Sequence, residues 1–215
     1  MTLKSKLDAF KEQFKQQAPE QAQETMSRVT NELYQSGILD NTIKIWDHLP
    51  SFTLPNQDGN QVSLEELLAK GPLVINVFRG VWCPFCSIEL QALNNILPAL
   101  HERRTNLVGL APQLQPSARE NKEKLALDFD ILVDRGNEYA ESLGLCYNLP
   151  EELIAIYKEF SIDLPSHNGD DSWRLPMPAR LLIDQDFRLL YADINPDYTN
   201  RPEPEVLLEI LDQRN

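Results

Sequence analysis

Pro72-Leu-Val-Ile-Asn-Val-Phe-Arg-Gly-Val-Trp-Cys-Pro-Phe-Cys86 is the stretch that decides the fold. Its first half, through Phe78, is a short apolar run with β-branched residues, the composition of a strand buried on both faces. Arg79-Gly80 breaks the run. Downstream, Ile88, Leu90, Leu93, Ile96, Leu97 and Leu100 form a helical stripe, with Glu89 and Gln91 read as the opposite, polar side. A helix therefore starts near Cys83, and Cys83 and Cys86 stand where strand gives way to helix. A thiol at a helix N-terminus meets unpaired backbone N–H groups and the positive end of the macrodipole, which favour the thiolate. A fall from a free pKa of about 8.5 to roughly 7 lifts the ionised fraction near neutral pH from a few per cent to about half. Arg79, four residues before Cys83, adds to this if its guanidinium turns toward the site, the alternative being a pairing with an acidic neighbour.

Composition narrows the possibilities. The chain has 215 residues, 42% of them hydrophobic, enough for one well-buried core plus an extension. A formal charge of −13 with no long basic run argues against a nucleic-acid partner. No apolar stretch approaches a membrane span, and Met1-Thr-Leu-Lys-Ser-Lys6 lacks a signal-peptide core, so the expectation is a cytoplasmic protein without a membrane partner. Three cysteines make no disulfide framework, and a close pair in a reducing compartment is catalytic or metal-binding.

Periodicity divides the chain in two. Residues 1–44 form an N-terminal helical extension: Leu3, Leu7, Phe10 and Phe14 mark one amphipathic helix, and Met26, Val29 and Leu33 a second that ends at Ser36-Gly37. These helices either pack on the main domain or form a homodimer seam. Residues 45–215 read as the main domain. A hairpin spans Ser51–Ser63, turning at Asn56–Gly59, and a short helix follows at Leu64–Leu68. After strand 72–78 and the thiol helix to about Arg104 come strands at 107–111 and 130–133, with helices over 116–127, 137–143 and 150–160. The alternation predicts α/β architecture with a parallel sheet. Residues 163–176 read as a long ordered loop, 179–184 and 187–193 as an antiparallel hairpin, and 203–211 as a closing helix.

Phe52-Thr-Leu54, Gly59, Leu64, Phe78-Arg-Gly80, Trp82–Cys86, Asp184 and Asp197-Tyr-Thr-Asn-Arg-Pro-Glu203 resemble the peroxiredoxin-like branch of the alkyl hydroperoxide reductase/thiol-specific antioxidant (AhpC/TSA) family. The resemblance covers most of residues 45–212. It implies a thioredoxin fold with a peroxiredoxin-type N-terminal β-hairpin, to which this chain adds its helical extension. It also exposes departures. Peroxiredoxins commonly carry a threonine three residues before the peroxide-attacking cysteine, a proline four residues before that threonine, and a later arginine. Aligning Cys86 with the attacking cysteine puts Cys83 at the threonine, Arg79 at the proline and Pro178 at the later arginine. In thioredoxins that last place holds a cis-proline facing the dithiol, so Pro178 is expected to be cis, the alternative being a trans proline at a strand's first residue.

Two enzymatic mechanisms use the same dithiol. In the first, a thiolate reduces a hydroperoxide, becomes a sulfenic acid and condenses with the second thiol. The resemblance then makes Cys86 the attacker and Cys83 the resolver, with Arg79 and Arg180 as candidates to stabilise the leaving oxygen. In the second, Cys83 attacks a protein or small-molecule disulfide and Cys86 resolves. Pro84 stiffens the turn, while Trp82 and Phe85 pack or line a docking surface. Either cycle needs a thioredoxin-like or low-molecular-weight thiol reductant, and neither needs a cofactor. Two non-enzymatic readings stand beside them. One is a redox-inactive scaffold. The other is a structural zinc site, for which one C-x2-C pair supplies only two of four ligands, leaving Cys146 or the scattered His48, His101 and His167 to complete it. No metal is expected. Cys146, among Leu143, Leu145 and Leu149, reads as a buried thiol, or else as a third redox cysteine.

Overall fold

The computed structural model describes residues 1–213. Helices α1 (Leu3–Gln17) and α2 (Glu20–Gln35) lead through a 3-10 turn to the hairpin β1 (Thr53–Pro55) and β2 (Gln61–Ser63) and to helix α3 (Leu64–Leu68). Next come β3 (Leu73–Val77), α4 (Pro84–Glu102), β4 (Asn106–Ala111), α5 (Gln115–Leu125), β5 (Asp130–Val133) and α6 (Glu138–Ser142). The chain continues with β6 (Cys146–Asn148), α7 (Glu151–Glu159), α8 (Leu164–Asn168), β7 (Arg174–Pro176), β8 (Ala179–Ile183), β9 (Leu189–Ile194) and α9 (Val206–Asp212). No helix among the described residues is long and apolar enough to cross a membrane.

The central sheet has the order β5-β4-β3-β8-β9. β3, β4 and β5 are parallel, as strands joined by helical crossovers must be, and the hairpin β8–β9 adds to β3 antiparallel. β3 is central and buried along its whole length, which is why its sequence is continuously apolar apart from Asn76. Its side chains alternate: Val74 and Phe78 join one core layer with α4, while Leu73, Ile75 and Val77 join the other, with α3 and α6. The extension belongs to this body. Leu3 and Leu7 sit in the same core layer as Cys86, and Val29 of α2 packs with Leu153 and Tyr157 of α7. Glu203 fixes the start of α1 by accepting the backbone N–H groups of Leu3 and Lys4, both at 2.9 Å.

Three expectations are corrected. The 163–176 stretch is not a loop throughout, because it contains α8 and then β7, which pairs antiparallel with β6. Pro178 is not cis: there is no cis peptide bond among the described residues. It stands trans, buried between β7 and β8, with its carbonyl accepting the Asn195 N–H at 3.2 Å. Glu89 does not share a polar face with exposed Gln91. It is buried in the core beneath α4, because two arginines from the C-terminal third of the chain neutralise it there.

Candidate active site

β3 ends at Val77, and the chain then turns sharply before α4. Gly80 makes this possible: its φ is 142°, and a Cβ there would lie 2.6 Å from Trp82 Nε1. The Cys83 N–H closes the turn onto the Gly80 carbonyl at 3.1 Å, while the Val81 N–H donates to buried Gln113 Oε1 at 2.7 Å. Pro84 occupies the first turn of α4, where its missing N–H costs no helical hydrogen bond. Cys83 is thereby the N-cap and Cys86 follows one turn later. Both are free thiols and both are buried, yet only Cys83 lines the adjoining cavity, beside Arg79, Trp82, Pro84, Phe85, Tyr157 and Tyr198.

Arg79 governs the electrostatics. Its side chain is 1% exposed, and no carboxylate pairs with it among the described residues. It lies instead among aromatic rings, with its guanidinium carbon 4.8 Å from the Trp82 centroid, 5.7 Å from Tyr157 and 4.1 Å from Tyr198. One terminal nitrogen donates to the Tyr157 hydroxyl. The other, Nη1, lies 3.9 Å from Cys83 Sγ. A buried cation without a partner is costly, so the Cys83 thiolate is its natural counter-charge.

The two thiols part accordingly. Burial alone pushes Cys83 up, but the hydrogen bond from the Cys86 thiol, the Arg79 guanidinium, the Cys86 backbone N–H and the Arg201 charge outweigh it and bring Cys83 down to about 6. Burial, reinforced by the hydrogen bond and charge of Cys83, pushes Cys86 well above the ordinary thiol range. The pair therefore holds one proton near neutral pH, and it sits on Cys86.

Arg180 has a different setting. It donates to Glu89 Oε1 at 2.7 Å and to the carbonyls of Pro202 and Glu203 at 3.1 and 3.2 Å, and it does not line the cavity at Cys83. Arg201 holds the other Glu89 oxygen at 2.8 Å. One of its terminal nitrogens is buried without a protein partner among the described residues, as are Arg79 Nε and Trp82 Nε1. Cys146 lies elsewhere, in the layer across the sheet, with its Sγ 3.7 Å from the Asn137 carbonyl. Burial, aided by the charge of Asp134, pushes its thiol up to about 12. Among the described residues no cluster of three histidines, cysteines or carboxylates is arranged to hold a metal ion.

Sequence reasoning did not single out Tyr157, Tyr198 or Arg201. Tyr198 and Arg201 lie within the Asp197–Glu203 segment that carries the family resemblance, so a signal for them was present. Tyr157 had none, because a helical stripe marks it only as core.

Comparison with known proteins bears on the fold and the family. The chain is 21% identical over 169 residues to the thiol-disulfide oxidoreductase ResA of Bacillus thuringiensis subsp. konkukian, covering 78% of this chain and 79% of that one. It is 27% identical over 105 residues to the peroxiredoxin Bcp of Escherichia coli, covering 49% of this chain and 67% of that one. The solved structure of peroxidoxin BcpB from Mycobacterium tuberculosis shares the fold with a TM-score of 0.64 at 20% identity, over 80% of this chain and 99% of that chain. The AhpC/TSA family model matches residues 45–192, from just before the hairpin through the dithiol helix to β9. With that span matched, the chain belongs to the AhpC/TSA family.

Proposed function

We propose that this protein is a thiol-dependent hydroperoxide reductase in which Cys83 attacks and Cys86 resolves. The observation that carries this reading is the placement of Arg79 Nη1 3.9 Å from Cys83 Sγ with no carboxylate paired to it among the described residues. The Cys83 thiolate attacks the terminal oxygen of ROOH, forming an S–O bond as the O–O bond breaks. The electron pair leaves on RO⁻, a compact anion that gains more from guanidinium hydrogen bonds than a thiolate leaving group does, and takes up a proton. Cys86 then gives up its proton and attacks the Cys83 sulfenic acid, forming the S–S bond and releasing water. Two thiol equivalents of reductant restore the dithiol.

Thiol–disulfide exchange is the second reading. The N-cap position of Cys83 favours it, since the same thiolate can attack a disulfide sulfur, and ResA is named for that chemistry. Either substrate meets Cys83 first, which reverses the order that alignment with peroxiredoxins implies. The test mixes reduced protein with a hydroperoxide or with a model disulfide and follows thiol loss in the wild type, Cys83→Ser and Cys86→Ser. The proposal expects fast peroxide oxidation in the wild type, a trapped sulfenic acid in Cys86→Ser and no fast phase in Cys83→Ser. A fast phase surviving in Cys83→Ser contradicts it. Slow peroxide oxidation beside fast disulfide reduction selects the second reading.

A further inference from the structure

The cavity above Cys83 is walled in part by α1 and α2, which lie outside the family match. Phe10 and Phe14 of α1, Ser27 and Asn31 of α2, and Tyr157 and Phe160 at α7 line a partly open cleft of about 1090 Å³, within the order of size of small-molecule pockets. These walls are anchored: Leu3 and Leu7 lie in the core, Glu203 holds the start of α1, and Arg28 of α2 pairs with Glu152 of α7. Cys83 is 1% exposed on the cavity floor. Thiol–disulfide exchange brings the incoming sulfur to a bond of about 2.05 Å, in line with the bond that breaks. With Cys83 1% exposed and α1 and α2 standing beside it, a small thiol reaches its sulfur more readily than a thiol held on the convex surface of a folded protein.

The wall also carries charge of both signs. Lys11 donates to Thr199 Oγ1 at 3.1 Å and has no carboxylate partner, and Glu24 on α2 has no cationic partner among the described residues. A thiol carrying both a carboxylate and an ammonium group matches that pair while its body lies along the aromatic wall.

We infer that a zwitterionic low-molecular-weight thiol of amino-acid or peptide type, bound between α1 and α2, regenerates the dithiol in place of a folded thioredoxin-like protein. The inference rests on the Cys83-led cycle above. A thiolate RS⁻ attacks the Cys83 sulfur of the protein disulfide, forming RS–S–Cys83 as the bond to Cys86 breaks, and Cys86 leaves as a thiolate that takes up a proton. A second RS⁻ attacks the RS sulfur, releasing RSSR and the Cys83 thiolate. Two RSH are thus oxidised and the protein gains two electrons.

The test uses the full chain oxidised with diamide to its internal disulfide, then mixed with glutathione or with reduced thioredoxin at equal thiol concentration. Glutathione is expected to reopen the disulfide at least tenfold faster, with a rate that saturates. Ser27→Trp and Asn31→Trp, both at exposed positions, are expected to lower the glutathione rate at least tenfold relative to the smaller mercaptoethanol. Faster reduction by thioredoxin, or equal effects of the tryptophans on both thiols, overturns the inference. Failure of the underlying cycle shows separately: oxidised glutathione would then form a mixed disulfide on Cys83→Ser and not on Cys86→Ser, which overturns both.

Discussion

Arg79 and Cys83 form the one close pairing of a buried cation with a buried thiol in the described site, Nη1 to Sγ 3.9 Å, and the ionised thiol is what keeps that arginine from being a stranded charge. Replacing Arg79 with Met removes the charge and keeps much of the volume. Cys83 should then rise from about 6 toward the ordinary thiol range. The thiolate fraction at pH 7 then falls below its wild-type value of about nine-tenths, although the Cys86 hydrogen bonds and Arg201 remain, so peroxide oxidation should slow severalfold. Stopped-flow rates between pH 5 and 9 check this, and much of the loss should return at high pH.

Reduced protein should gain stability as pH rises. Cys83 has a folded pKa of about 6, below its unfolded value, so its contribution is full above the unfolded pKa and disappears as pH falls through about 6. Cys86, held protonated well above the ordinary range, does not titrate in that window. Thermal melts at pH 5.5 and 8 should differ for reduced wild type, and the difference should shrink in Cys83→Ser and in the oxidised disulfide form.

Glu89 neutralises two buried arginines, Arg180 at 2.7 Å and Arg201 at 2.8 Å. Glu89→Gln removes the one carboxylate bonded to both, and breaking a buried ion pair of this kind costs about 3–5 kcal/mol. Denaturant unfolding should show a loss of that order, with Cys83→Ser, by comparison, far milder at pH 5.5.

Cys146→Ser should leave turnover within about twofold of wild type, since Cys146 sits in the opposite core layer with its thiol at about 12. Mass mapping after peroxide treatment should find no sulfenic acid there. Its appearance, together with lost turnover, would make Cys146 a third redox thiol.

What was legible in the sequence were the features encoded locally. The β-branched run, the Arg79-Gly80 break and the leucine stripe after Cys86 place β3, the turn and α4 within a residue or two of where they form. The hairpin, the alternating strands and both N-terminal helices follow from periodicity in the same way. The burial of Glu89 is not legible locally, because it depends on Arg201, 112 residues away, and periodicity carries no trace of such a partner. Pro178 could not be read because an isomer is chosen by tertiary packing. The 163–176 segment carries no local strand signal, because β7 is three residues long and exists through its pairing with β6. The cavity wall was hidden for a similar reason: the stripe of α1 shows that it packs, not that it packs over Cys83.

The most direct test of the central claim is the pH dependence of iodoacetamide labelling of the reduced protein, with the modified cysteine identified by peptide mass. The structure predicts label on Cys83 with a midpoint near 6. Label appearing first on Cys86, or a Cys83 midpoint in the ordinary thiol range of about 8.5, would contradict it.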